Sequence, residues 1–221
     1  MEAKEAMRVI SIFLTATTLL ALEQAHAQSG APEKLFAALT RCDGAFFESM
    51  RSLREELAPQ GRLDERGRSV TWLVPEITHP TESRVFFNSP LKVNGLEMIG
   101  YYDELIRIPG GVAVSWGFLV SSNIPDANAK LRALVWDTSR LRQGEGYFVR
   151  SEIWSHSNSA AGWAREASEP GPPKPGTVER VFMIEPYDGE TAYVRAGCSL
   201  QGSITREMVG TIRPDLPLQE N

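Results

Sequence analysis

The sequence predicts an α+β fold, in which two helices pack on a mostly antiparallel sheet of about six to seven strands. An apolar stripe with helical spacing runs through residues 33–58, and from residue 70 onward the alternation has a period of two. Strands and helices do not alternate along the chain, as a parallel sheet would require. The predicted order is therefore one helix, four strands, a second helix and three strands.

The first element is a helix predicted over "EKLFAALTRCDGAFFESMRSLREELA", residues 33–58. Its apolar positions recur at steps of three and four, which is typical of a helix that buries one side. They are Leu35, Leu39, Cys42, Phe46, Met50, Leu53 and Leu57. Gly44 weakens the helix locally and suggests close packing. Pro59 and Gly61 end the helix and begin a polar loop.

Seven segments rich in β-branched and aromatic residues follow, and each is predicted to be a strand. They are VTWLV, RVFFN, LEMIGYY, VAVSWGFLV, GYFVRSEIW, VERVFMIEP and TAYVRAGCSL. The turn signals NSP, VNG, PGG and YDGE separate them, and Asn94-Gly95 is typical of a two-residue hairpin. The second helix is predicted in "NIPDANAKLRALVW", with Pro125 in its first turn.

Residues 155–176 are rich in Ser, Ala, Gly and Pro, and they contain little that could be buried. We predict a mobile surface loop within a single globular domain that spans residues 28–221. Long loops of this kind are often functional or disordered. Trp163 is the one residue in the loop that suggests docking, and an insertion without a function is the alternative.

The first 27 residues are predicted to be a signal peptide. The apolar stretch from Val9 to Leu22 is shorter than the roughly 20 residues that span a bilayer. It is followed by the small-x-small pattern of residues 25–27, which predicts cleavage between Ala27 and Gln28. We therefore expect a periplasmic or secreted protein without a membrane span in its mature chain. An N-terminal membrane anchor is the alternative, and the start is either Met1 or Met7.

Removal of residues 1–27 from the 221-residue chain leaves 194 residues, enough for one domain with a substantial core. The formal net charge is −5, and it becomes −4 once the leader with its two basic and three acidic residues is removed. A mildly acidic chain without a basic run lacks the electrostatic pattern of nucleic-acid binding. We therefore expect no nucleic-acid partner.

Cys42 and Cys198 are the only two cysteines, and in an exported protein two cysteines usually form a disulfide. Each lies in line with apolar residues of its own predicted element. A zinc site is not expected, because neither His79 nor His156 has ligand-like spacing from either cysteine. A catalytic thiol and a pair of free thiols are the alternatives to the predicted Cys42–Cys198 bridge.

No motif for a nucleophile, metal or cofactor is complete. Gly197-x-Ser199 resembles the start of a nucleophile elbow, but position 201 is Gln and no histidine follows. Gly95 and Gly100 have the spacing of a phosphate loop, but two tyrosines replace the required Lys and Ser or Thr. We therefore expect no cofactor and no metal.

Charged and aromatic side chains that share faces of the predicted strands form one candidate binding patch, together with Trp163 of the loop. Its members are Arg150, Glu152, Trp154, Trp163 and Arg195. Charges on neighbouring strands can pair across a sheet and leave aromatic edges for a ligand. The alternative is that the charges lie on the solvated side of an antiparallel sheet, where each pair contributes little.

The runs "FFNSPLKVNGLEMIGYYDE", "SWGFLV", "YFVRSEIW", "TVERVFMIEP" and "CSLQG" resemble exported proteins of unknown function from Gram-negative bacteria. The resemblance implies an envelope location and a shared fold, and it carries no site residues. We predict a non-enzymatic periplasmic protein that binds an unidentified small molecule or protein partner. The alternative is an envelope hydrolase or isomerase whose carboxylates, among them Glu152, Glu179 or Glu185, converge only in the fold.

Overall fold

The computed structural model of the protein describes residues 30–67, 69–165, 171–187 and 193–216. Six of the seven period-two segments and one short additional strand form a seven-stranded antiparallel sheet. The seventh segment, VTWLV, contributes to a separate two-stranded ribbon beside it, and helices pack on the larger sheet. The predicted α+β class is therefore confirmed. The predicted signal peptide lies outside the described residues.

Nine strands are described, two more than the sequence predicted. They are β1 Leu63–Arg66, β2 Ser69–Trp72, β3 Arg84–Val93, β4 Leu96–Ile108, β5 Gly111–Val120, β6 Arg142–Gln143, β7 Phe148–Ser155, β8 Thr177–Pro186 and β9 Val194–Gly202. The ribbon is β1-β2, and the order in the large sheet is β3-β4-β5-β9-β8-β7-β6. The last strand of the chain thus lies in the middle of the sheet, between β5 and β8, and joins its two halves.

The described α-helices are short, and they are α1 Ala31–Leu39, α2 Ala45–Ser52, α3 Arg54–Leu57, α4 Ile124–Leu131 and α5 Arg206–Ile212. The first three replace the single helix that was predicted over residues 33–58. The prediction of one continuous helix is wrong at residues 40–44, because Cys42 has a φ of 55°, which an α-helix does not accommodate. A Cβ on Gly44 would lie 2.7 Å from the carbonyl oxygen of Thr211, so α5 packs directly on the break.

Of two predicted turns, the one at Asn94-Gly95 is confirmed and the one at residues 88–90 is wrong. Val93 pairs with Leu96, and Asn94 and Gly95 have φ values of 46° and 74°, so the predicted hairpin between β3 and β4 is confirmed. NSP, residues 88–90, is not a turn, because β3 continues through it with a register shift. A proline is tolerated there because β3 is an edge strand.

Cys42 and Cys198 form the predicted disulfide, with Cα atoms 5.4 Å apart. Cys198 lies in β9 between Trp116 of β5 and Phe182 of β8, and Cys42 lies in the connection between α1 and α2. The bridge therefore fastens the first two helices to the centre of the sheet. Both cysteines are buried in the main hydrophobic core.

The described parts of the 155–176 segment are attached to the sheet. Residues His156–Ala161 form 3-10 turns, and Ala164 forms an antiparallel bridge with Ile153 of β7. Mobility of the segment stays a prediction, and residues 166–170 lie outside the described part of the chain. None of the described helices has the length and apolar character that crossing a membrane requires.

Candidate functional site

A groove of about 690 Å³ opens at the end of β7 and β8, on the side of the sheet that the helices cover. Strands, helices and the 155–176 segment all contribute to it. The side chains that matter most for its chemistry are Asp43, Trp154, Trp163, Arg180, Glu207 and Met208. Two aromatic rings, one guanidinium and two carboxylates therefore share one concave site, as is typical of ligand pockets.

Both tryptophans of the groove are partly buried and pack against the main core. The backbone of Ala164 exchanges two hydrogen bonds with Ile153, at N···O distances of 2.9 and 2.7 Å. These bonds extend the edge of β7 beyond the end of β6 and hold the neighbouring Trp163 against the sheet. The residue that suggested docking in the sequence is thus built into the wall of the groove.

A buried chain of charges lies behind the groove. Arg150 donates from Nη1 to Oε2 of Glu152 at 3.2 Å, and Arg180 donates from Nε to the same oxygen at 2.7 Å. Arg150 also donates to the carbonyl oxygen of Thr40 at 2.8 Å, and its guanidinium lies 4.7 Å from the ring centroid of Trp136. We call Arg150, Glu152 and Arg180 the positive network, because it holds two guanidiniums and one carboxylate.

Arg180 is the member of the positive network that lines the groove. Its guanidinium lies 4.6 Å from the ring centroid of Trp163, and 13% of its side chain is exposed. Glu152 engages its Nε, while no residue that the structure describes accepts a hydrogen bond from its two terminal amino groups. The result is an oriented pair of donors at the groove.

The electrostatics of the groove combine an excess positive charge inside with negative charges at the rim. Burial lowers the pKa of Arg150, while Glu152 acts in the opposite direction, and a guanidinium stays charged in proteins. At the rim, Asp43 accepts from Nε of Arg41 at 3.1 Å and from the backbone of Ala45 at 3.0 Å. No described residue bonds to the exposed carboxylate of Glu207.

Four of the five residues of the predicted patch come together here. Trp154 and Trp163 line the groove, and Arg150 and Glu152 lie behind it. The alternative that these charges lie on a solvated sheet side is wrong, because Arg150 and Glu152 are only 1% and 2% exposed. Arg195 lies elsewhere.

Arg195 points to the opposite side of the sheet. It pairs there with Glu104 at 3.0 Å and with Glu185 at 2.9 Å, and its guanidinium lies 5.3 Å from the ring of Tyr102. Its position in β9, one residue out of phase with Val194 and Ala196 of the core, explains why it cannot reach the groove.

Sequence reasoning missed Arg180, although a signal was present. In "VERVFMIEP" the alternation places Arg180 in line with Val178 and Phe182, so it is a charged residue at an otherwise apolar position. A charge in that position needs a buried partner, and Glu152 on the adjacent strand is directly opposite.

A second buried charge network was also missed. Arg213 donates from Nη2 to Asp103 and to Asp215, at 2.7 Å in each case. We call these three residues the negative network, because it holds two carboxylates and one guanidinium. It lies beside a smaller cavity of about 230 Å³, which both aspartates line. Burial raises the pKa of Asp103, against the effect of Arg213.

The carboxylates named from the sequence do not pair with one another. Glu152 binds two arginines, Glu179 accepts from Gln201 at 3.1 Å, and Glu185 lies beside Arg195. Within the described ranges, no group of three or more His, Cys, Asp or Glu side chains could hold a metal ion.

Comparisons with protein-family models, with curated proteins and with solved structures give no match for this chain.

Proposed function

We propose that this protein is an exported, non-enzymatic binding protein of the bacterial envelope, which holds a small molecule in the groove at Trp154, Trp163 and Arg180. The predicted signal peptide and the resemblance to exported Gram-negative proteins support the location. The Cys42–Cys198 disulfide is compatible with an oxidising compartment.

The observation that carries the proposal is that no described residue accepts a hydrogen bond from the two terminal amino groups of Arg180. Donors that are held in place and left without acceptors at a concave site favour recognition of a ligand that supplies those acceptors. Glu152 and Trp163 fix the guanidinium on two sides, so little side-chain entropy is lost when a ligand binds.

Binding is favoured over catalysis by the contacts of Glu152, the carboxylate of the positive network behind the groove. Two guanidiniums hold the same oxygen of Glu152, so this carboxylate is already engaged and poorly placed to exchange a proton with a ligand. The groove therefore offers recognition groups rather than a proton-transfer pair.

The proposal is tested with protein purified from the periplasm and studied by native mass spectrometry and thermal unfolding. We expect wild-type protein to carry or accept a small molecule, and Arg180→Gln and Trp163→Ala to lose it. Arg195→Gln is the matched control, because Arg195 is similarly shielded but lies on the other side of the sheet. Equal retention by all four proteins would contradict the groove as the binding site.

Location is tested separately by the intact mass of protein from the envelope fraction. We expect the mature chain to begin at Gln28. Retention of residues 1–27 would contradict cleavage and favour the alternative of a membrane anchor.

A second candidate function, an envelope hydrolase or isomerase, is favoured by one observation. Asp103 and Asp215 converge on the same nitrogen of Arg213 beside a cavity, and burial raises the pKa of Asp103. Two carboxylates held together beside a cavity are a recurring arrangement of acid–base sites. Turnover of chromogenic esters or glycosides that Asp215→Asn abolishes would support this function, and turnover unchanged in that variant would contradict it.

A further inference from the structure

The groove has a charge pattern that narrows the class of its ligand. The positive network behind it lacks one negative charge, and Arg180 presents the excess at the groove wall. Arginine cannot relieve such an excess by losing its proton. A bound anion can relieve it, and a planar pair of N–H donors matches the two oxygens of a carboxylate.

The rim decides what kind of anion fits. Asp43 and Glu207 line the same groove as Arg180, and Glu207 has no hydrogen-bond donor among the described residues. Two acidic side chains disfavour a dianion such as a phosphate monoester. They tolerate a single carboxylate, and they favour a ligand that also carries a positive charge.

The remaining walls combine apolar and aromatic side chains with the hydroxyls of Ser159, Thr205 and Thr211. Trp154 and Met208 are partly buried and Ile212 is buried, and all three line the groove. A volume of about 690 Å³ is within the range of small-molecule sites and accommodates an aromatic side chain or a dipeptide. Aromatic walls of this kind favour a flat, apolar ligand body.

Building on the proposed function, we infer that the groove binds a zwitterionic ligand of the size of an aromatic amino acid or a dipeptide. Its carboxylate pairs with the two terminal amino groups of Arg180. Its apolar body lies against Trp154 and Trp163, and its ammonium group faces the acidic rim at Glu207.

The test is calorimetric titration of the wild-type mature protein with a matched series of probes. The series is L-phenylalanine, glycyl-L-phenylalanine, 3-phenylpropionate, L-phenylalaninamide and 2-phenylethyl phosphate. We expect one of the first two to bind most tightly. Loss of the carboxylate in the amide should weaken binding about tenfold or more, because a charge-assisted bidentate contact is lost. Loss of the amine should weaken it about two- to fivefold, because Glu207 is exposed.

Variants assign each charge to its partner. Arg180→Gln should remove the preference for L-phenylalanine over its amide, and Arg180→Lys should restore only part of it, because lysine lacks the fork. Glu207→Gln should remove the preference for L-phenylalanine over 3-phenylpropionate and leave the preference over the amide intact. Arg195→Gln should leave every preference unchanged.

The failure of this inference is distinguishable from the failure of the proposed function. The inference is overturned if the amide or the phosphate binds as well as the zwitterions, or if no zwitterion binds at millimolar concentration. The proposed function survives that result if another ligand binds wild-type protein and is lost in Trp163→Ala. The proposed function fails together with the inference if the wild type and Trp163→Ala bind the same ligands equally well, or if no ligand binds the wild type.

Discussion

The two buried charge networks lie on the same side of the same sheet and have opposite compositions. The positive network has two guanidiniums and one carboxylate, and the negative network, Asp103–Arg213–Asp215, has two carboxylates and one guanidinium. Each therefore leaves one charge uncompensated away from bulk water, which is costly.

The networks differ in how they can relieve that excess. A carboxyl group can take up a proton, and burial raises the pKa of Asp103 accordingly. A guanidinium cannot lose its proton, so the positive network needs an external anion or contact with water. The positive network borders the wider groove, and the negative network ties residues 213–215 to β4 at the smaller cavity. Composition as well as burial therefore distinguishes the two networks.

Removal of the central residue of each network should produce the largest effects. Arg213→Met leaves two buried carboxylates without a partner and should lower the free energy of unfolding by about 3–5 kcal/mol at pH 7. Glu152→Gln should cost less, because Arg180 is 13% exposed and can turn toward solvent. Urea unfolding of both variants measures the two losses. A larger loss for Glu152→Gln would reverse the ranking of the networks.

The disulfide lies beside the positive network, with Sγ of Cys42 3.9 Å from Nη2 of Arg150. Its two cysteines are 156 residues apart in sequence, so it constrains most of the unfolded chain. Cys198→Ala should lower the free energy of unfolding by about 2–5 kcal/mol. Wild-type protein in reducing buffer is the control and should lose a similar amount. Two titratable thiols in unfolded, unreduced protein would contradict the bridge.

The negative network should make stability depend on pH. Because burial raises the pKa of Asp103 above its ordinary value of 3.8, the folded state holds a proton that the unfolded state releases. The stabilising contribution is complete below that value and is lost as the pH rises through the folded pKa. The free energies of unfolding of the wild type and of Asp103→Asn are measured at a series of pH values from below 3.8 upward. The wild type should lose stability relative to the variant as the pH rises, and parallel curves would contradict the shift.

The smallest expected effect concerns the wall of the groove. Trp163→Ala removes the contact with Arg180, which is worth about 0.5–1 kcal/mol at a partly exposed site. Limited proteolysis between residues 155 and 176 should therefore be a few-fold faster in the variant, since local opening becomes easier. Cleavage first outside this segment in the wild type would contradict its predicted mobility.

Local patterns predicted much of the fold, and they failed where distant residues meet. The period-two segments identified seven strands, and Asn94-Gly95 identified its hairpin, because both depend on neighbours in sequence. The break at Cys42 depends on a bridge to Cys198 and on α5, whose Thr211 packs against Gly44. Helical periodicity does not detect such a break, since the apolar stripe continues across it.

The strand β1 and the helix α5 were missed for a related reason. β1 is half exposed and polar, so it lacks an apolar alternation. α5 has only seven residues, and in the structure Thr205 is its N-cap, whose hydroxyl accepts from the backbone of Met208 at 3.2 Å. Short elements of this kind acquire most of their stability from packing rather than from their own pattern.

By itself, the sequence determined the α+β class and the disulfide partners, and it placed Arg150, Glu152 and Trp154 on one strand face. Each of these follows from periodicity, from composition or from there being only two cysteines. Only the tertiary structure decided that Arg195 lies on the other side of the sheet, that Arg180 completes the site and that the two aspartates meet at one guanidinium. Strand order and helix docking set these distances, because charges that pair across strands are far apart in the chain and leave no local pattern.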